Sequence, residues 1–245
     1  MAGVVKAVVL FDIDGTLLRG AGPHHKDALV AGIRRVTGLE TNLDGIATSG
    51  TLDRDLIALM LRAAGYADDQ IRTALPEVVE ACQSAYLQNC ASDLRSFVCT
   101  GVREFLEQLR RHEAVLGLVT GNLSAIGWKK VELAGLREYF SVGAFSEDGH
   151  TRAELARLAA ECARIYCQDG QHCPITLIGD HANDIDAAKA NRFRSVAVAT
   201  GVSSLHELKK FSPDIAVQNL TELTAAQLME QVMVRETKEQ SQPST

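Results

Sequence analysis

Val8-Val9-Leu10-Phe11-Asp12-Ile13-Asp14-Gly15-Thr16-Leu17 is the stretch that decides the fold. The near-continuous apolar run of residues 4–11, an expected strand, suits burial on both faces of a parallel sheet. The run ends in two carboxylates one residue apart. Open α/β sheets bind ligands beyond the carboxyl ends of their strands. Two anions placed there are costly unless a cation compensates, and a hard divalent ion with oxygen ligands, Mg²⁺, fits. Alternation puts Asp12 and Asp14 on one nominal side, and Gly15 permits the tight turn that follows. The plainer reading is a strand end with solvated acids.

Further apolar runs, each bounded by turn signals, are expected strands at residues 115–120, 175–178, 195–199 and 215–217, with a weaker one at 140–145. Helical periodicity covers 102–111, 124–133, 152–165 and 184–190. Alternating strands and helices imply a doubly wound, Rossmann-like α/β sheet. Residues 12–114 break the alternation. Helix candidates there are 25–36, 53–64, 68–75 and 77–89, with Pro76 expected to separate the last two or to open a helix. The division expected is an α/β core of residues 1–18 and 96–235, an inserted helical unit at 19–95, and a disordered polar tail at 236–245.

Two more strand ends carry chemistry. Leu116-Gly117-Leu118-Val119-Thr120-Gly121-Asn122 leads into a helix, whose free N–H groups favour phosphate. Thr120 offers a hydroxyl and Gly121 and Asn122 offer amides, although Asn122 or Ser124 would equally serve as an ordinary helix cap. Ile175-Thr176-Leu177-Ile178-Gly179-Asp180-His181-Ala182-Asn183-Asp184 brings two more carboxylates to the same sheet edge.

The chain has 245 residues, of which 46% are hydrophobic and 23% charged, with a net charge of −6. This composition is ordinary for a globular protein. A general nucleic-acid coat is disfavoured by the negative charge. No apolar run approaches the roughly 20 residues that span a bilayer. Met1 to Lys6 is too short and weakly charged for the start of a secretory leader. The expected setting is the cytoplasm, where the six cysteines read mostly as reduced thiols.

D-x-D-G-T followed by G-D-x-x-x-D, together with an inserted helical unit, resembles the haloacid dehalogenase superfamily, in its phosphoglycolate phosphatase-like and β-phosphoglucomutase-like branch. The resemblance spans nearly the whole chain. It implies an Mg²⁺-dependent phosphatase acting on a small phosphorylated metabolite, as a monomer or homodimer. Asp12 would be the nucleophile that forms an aspartyl-phosphate, and Asp14 the general acid and base. Asp12, the backbone carbonyl of Asp14, and Asp180 would hold Mg²⁺, with Asp184 bound to it or bridged by water. Thr120, Gly121 and Asn122 would cradle the phosphoryl group.

The family's lysine in K-P is absent here, and Arg152 falls near its place. An arginine pairs phosphate bidentately, but a surface pair with Glu154 or Asp148 is the alternative. Lys129 and Lys130 are rivals, one expected to face solvent and the other to cover the sheet. Relatives that act as phosphomutases usually carry E-D where this chain has Gly179-Asp180, which favours hydrolysis. A dehalogenase does not need Asp14. A phosphonate hydrolase needs a lysine in the helical unit, which holds only Lys26. A non-catalytic binding module would have lost a carboxylate.

Other features carry less. Cys162, Cys167, His172 and Cys173 are irregularly spaced for zinc, and Cys162 fits the apolar helix face of Leu155, Leu158 and Ala159. His24 and His25, where the helical unit begins, read as a hinge or helix surface, with contact to the substrate as the alternative. Ser49-Gly50-Thr51-Leu52-Asp53 either faces the site or caps the next helix. His181 borders the site or lies on a surface loop, and Trp128 reads as core.

Overall fold

The computed structural model describes residues 7–167 and 173–229. Six strands form one parallel sheet: β1 (Val8–Phe11), β2 (Val115–Val119), β3 (Val142–Ala144), β4 (Ile175–Gly179), β5 (Arg194–Val198) and β6 (Ile215–Val217), in the order β3-β2-β1-β4-β5-β6. The expected α/β doubly wound sheet is therefore the observed one. Strand order reverses direction beside β1, and that reversal opens a crevice at the carboxyl ends of the strands.

Alternation within β1 explains the two-sided burial. Val9 and Phe11 point into one apolar layer and Val8 and Leu10 into the other. Phe11 stacks edge-on against Phe105 and Phe140. Burying such a side chain contributes roughly 1.5–3 kcal/mol. On the Phe11 side lies α4 (Val102–Arg111), whose Val102, Phe105, Leu106 and Leu109 make a buried stripe at helical spacing. On the Leu10 side lies α6 (Arg152–Arg164), whose stripe is small: Leu155, Ala156, Ala159, Ala160 and Ala163. Cys162 is exposed, off that stripe, which corrects its expected burial.

Helices α1 (His24–Thr37), α2 (Asp53–Ala63) and α3 (Asp68–Asn89) share a separate apolar core that also takes in Leu123 and Ile126 of the α/β part. The chain leaves and returns at one place: Arg19 N–H donates to Phe97 O at 2.9 Å and Cys99 N–H to Leu17 O at 2.9 Å. Pro76 lies inside α3 and does not divide it, contrary to expectation. An interior proline costs about 3 kcal/mol. The continuous buried face of Ile71, Val78, Ala81, Cys82 and Tyr86 against α1 offsets it. Gly32 lets the two helices approach, since a Cβ there would sit 2.6 Å from Cys82 Cα.

Further helices among the described residues are α5 (Ser124–Leu133), α7 (Ala182–Ala190) and α8 (Leu205–Lys210). The last has no counterpart among the expected helices and is held by the Ser204–Glu207 capping box. Cys167 and Cys173 are joined in a disulfide, correcting the expectation of reduced thiols for that pair and withdrawing both from a zinc site. His172, residues 4–6 of the expected first strand, and the tail at 236–245 lie outside the described residues. Trp128 is half-buried, packing on Phe145 beneath the Arg137 guanidinium. Among the described residues, no helix is long and apolar enough to cross a membrane.

Candidate active site

Asp12 and Asp180 follow β1 and β4, the two strands that meet where the order reverses. Asp12 N–H donates to Ile178 O at 3.0 Å, so the pairing of the two strands continues through it. Asp184 lies in the first turn of α7 and folds back over the end of β4, where its Oδ2 accepts from His181 N–H at 3.2 Å. All three carboxylates are buried, and one oxygen of each lies within 4.8 Å of the others. Room for Asp180 is left by Gly15, at φ 92°, and by Gly201: a Cβ on either would overlap the Asp180 carboxylate.

Arg152 opens α6 at the head of its buried stripe, behind the Thr151 cap. Its Nη1 donates to Asp12 Oδ1 at 3.0 Å and to Val119 O at 3.1 Å. Its Nε lies 3.3 Å from Asp184 Oδ1. The alternative surface pair is not formed: Glu154 accepts from His150 N–H, and Asp148 accepts from Phe145 N–H. Asp184 Oδ1 and Arg152 Nε are nevertheless buried without a hydrogen bond.

One guanidinium does not balance three carboxylates. Burial pushes Asp12 up to about 7 against the pull of Arg152, and pushes Asp180 up to about 8 with help from Asp12 and Asp184. Asp184 is raised as well, by burial. Three carboxylates that one guanidinium cannot keep ionised together, an orphan carboxylate oxygen and an all-oxygen donor set fit a hard divalent cation.

Asp14 turns elsewhere. Its carboxylate is about half exposed at the mouth of the crevice, and its Oδ2 accepts from Lys130 Nζ at 2.6 Å and Asn122 Nδ2 at 2.8 Å. Partial burial would raise it, but the Lys130 charge and these two hydrogen bonds hold it at about 2. Lys130 is buried on α5 in register with Ile126, so it enters the site instead of merely covering the sheet. Lys129 points outward to Glu132, as one of the two lysines was expected to do. Thr120 is fully buried, and its Oγ1 accepts from the Asn122 amide side chain at 2.7 Å. The Asn122 backbone N–H also points at Thr120 Oγ1, at 3.4 Å.

The helical unit closes the crevice into a cavity of about 560 Å³ lined by Asp12, Asp14, Lys130, Arg152, His25 and Tyr86 among others. His25 was expected at a hinge or on the helix surface, with contact to the substrate as the alternative, and Asp53 either as a cap or facing the site. Both line the cavity: His25 Nε2 pairs with Asp53 Oδ2 at 2.8 Å, and Asp53 is buried, also accepting from Leu123 N–H at 2.9 Å. The signal for His25 was present: it lies three and four residues before the buried Ala28 and Leu29. Gly121 lets the loop before α2 sit against the sheet edge, where a Cβ would meet Thr51 O at 2.8 Å. His181 caps α7 and lines the cavity.

Residues 6–191 match the family model described as haloacid dehalogenase-like hydrolase. A phosphoglycolate phosphatase of Chromobacterium violaceum is 27% identical over 221 residues, 89% of this chain and 95% of the relative. A phosphoglycolate phosphatase of Synechococcus elongatus is 27% identical over 91% of this chain and 99% of its own. In fold, the chain is similar to a β-phosphoglucomutase of Clostridium difficile, with a TM-score of 0.67 at 16% identity, covering 95% of this chain and 99% of that one. A hydrolase of Pseudomonas syringae superposes with a TM-score of 0.58 at 18% identity, over 92% of this chain and 98% of that one.

Proposed function

The chain belongs to the haloacid dehalogenase-like hydrolases, and from that premise we propose that it is an Mg²⁺-dependent phosphatase of small phosphorylated metabolites. The observation that carries this reading is the buried Asp12, Asp180 and Asp184 cluster at the reversal of strand order, with Arg152 on one side and Asp14 on the other. Asp12, Asp180 and Asp184 would hold the metal, together with the Asp14 backbone carbonyl. When bound, Mg²⁺ supplies the positive charge that offsets the carboxylates and the phosphate.

Asp12 attacks phosphorus, so that an Asp12–phosphorus bond forms as the ester P–O bond breaks. Asp14 gives its proton to the departing alkoxide. Water then loses a proton to Asp14 and attacks phosphorus, which frees Asp12 and inorganic phosphate. In the resting site Lys130 holds Asp14 ionised. A phosphate dianion entering the site brings negative charge beside Asp14 and so favours a proton on the carboxylate oxygen that Lys130 does not hold. Arg152 and the hydroxyl of Thr120, with the Gly121 and Asn122 amides, hold the phosphoryl oxygens. The helices of residues 19–95 act as a cap that excludes bulk water and selects the leaving group, over a core of residues 1–18 and 96–235. The enzyme works in the cytoplasm, as a monomer or homodimer.

The test is phosphate release from a panel of phosphorylated metabolites, including phosphoglycolate and sugar phosphates, with Mg²⁺, with chelator, and with Asp12→Asn. Release that disappears in both controls is the expected result. Isomerised sugar phosphate formed faster than free phosphate would replace hydrolysis with mutase chemistry.

A further inference from the structure

Lys130 has three N–H bonds and three neighbours placed to receive them: Asp14 Oδ2 at 2.6 Å, Asn122 Oδ1 at 2.7 Å and His25 Nδ1 at 3.0 Å. An ammonium only donates, so the His25 Nδ1 facing it must be an acceptor and carries no proton. The ring proton is then on Nε2, which donates to Asp53 Oδ2 at 2.8 Å. Asp53 is in turn anchored on the α/β part, where its Oδ2 accepts from Leu123 N–H and its own N–H donates to Gly121 O at 2.8 Å. The chain Asp53–His25–Lys130–Asp14 therefore crosses from the helical unit to the second strand-end carboxylate, and every member has a partner.

We propose that His25 and Asp53 are positioning residues for the reaction: they fix the Lys130 ammonium against Asp14, and do so only while the helical unit is seated on the sheet. The proposal rests on the reading of Asp14 as the proton carrier. Two of the three partners of Lys130 come from the α/β part and the third from α1. With α1 away, a buried ammonium loses one of its three acceptors and is held against Asp14 less firmly. Seating does not depend on His25 and Asp53 alone: Arg54 N–H donates to Ser146 Oγ at 2.9 Å, Ala125 N–H to Gln83 Oε1 at 2.8 Å and Asn183 Nδ2 to Gly50 O at 2.9 Å.

The first experiment needs no substrate. Long-range ¹H–¹⁵N correlation of the full-length protein, with His25 assigned by its loss in His25→Asn, should show Nε2 protonated and Nδ1 unprotonated at neutral pH, with the pattern changed in Asp53→Asn. A protonated Nδ1, in either the other tautomer or the imidazolium, overturns the proposal. The second experiment is kinetic. His25→Leu and Asp53→Asn should lower kcat by about 10–100-fold with little change in KM, as loss of an orienting partner does. His25→Asn, which keeps an acceptor near the Nδ1 position, should recover part of the loss. A rise in KM alone, an unchanged kcat, or no difference between Leu and Asn at this position also overturns it. If the wild-type protein releases no phosphate, the proposed function fails, while the tautomer measurement still decides whether the chain exists.

Discussion

Replacing Arg152 by Met in metal-free protein tests the charge balance of the site most sharply. The guanidinium makes hydrogen bonds to Asp12 and Val119 and lies 3.3 Å from Asp184, all of them buried. Removing one partner of a buried ion pair costs about 3–5 kcal/mol, because the other charge is left uncompensated. That cost applies only while the carboxylates are ionised. Asp12 and Asp180 are pushed up to about 7 and about 8, so both carry protons at pH 5 and have lost most of them at pH 8.5. At pH 5 the loss should shrink toward that of neutral hydrogen bonds, about 1 kcal/mol each. Since 1 kcal/mol moves Tm by about 2–4 °C in a protein of this size, Arg152→Met should lower Tm by roughly 10 °C at pH 8.5 and by clearly less at pH 5. Arg152→Lys should fall between, because it keeps the charge and loses the fork. Thermal unfolding in chelator at the two pH values is the assay. Equal losses at both, or none at pH 8.5, would refute the reasoning.

Three further outcomes follow from the same geometry. Raised carboxylates mean that the folded state binds more protons than the unfolded chain between about pH 4 and 8, so metal-free stability should fall as pH rises through that window, and Mg²⁺ should restore more Tm at pH 8 than at pH 5. The depressed Asp14 works oppositely: its contribution is complete above about pH 4 and is lost as pH falls toward 2, which acid titration of Asp14→Asn beside wild type would register. Gly201→Ala should displace Asp180 and weaken Mg²⁺ affinity at least about tenfold by calorimetry. Gly121→Ala should lift the loop at Thr51 and raise KM while leaving calorimetric Mg²⁺ affinity unchanged.

The sheet was legible because strands buried on both faces are written as unbroken apolar runs, and four of the site's carboxylates were legible because they sit at the ends or just beyond those runs. Arg152 and Lys130 needed one more step. Each lies in register with a buried stripe, Arg152 with Leu155 and Ala156, Lys130 with Ile126, and helical periodicity alone separates Lys130 from the solvated Lys129. His25 carried the same signal. Asp53 did not: as the first residue of α2 it looks like any acid at a helix start, and only the approach of Leu123 from another part of the chain gives it a second role. Pro76 misled because local propensity argued for a break, while packing of α3 on α1 decided otherwise. Cys162 misled because the true stripe of α6 runs through alanines, whose low hydrophobicity made the cysteine look like the better core residue.

The central claim is that Asp12 forms a covalent bond to phosphorus, and the most direct measurement is its capture. Enzyme turning over p-nitrophenyl phosphate with Mg²⁺ is quenched in acid, reduced with borohydride, digested and sequenced by mass spectrometry. An acyl phosphate at Asp12 is expected to appear as homoserine at that position, and to be absent with chelator. Phosphate release with Asp12 unmodified, or with the label on Asp14 or Asp180, would contradict the account.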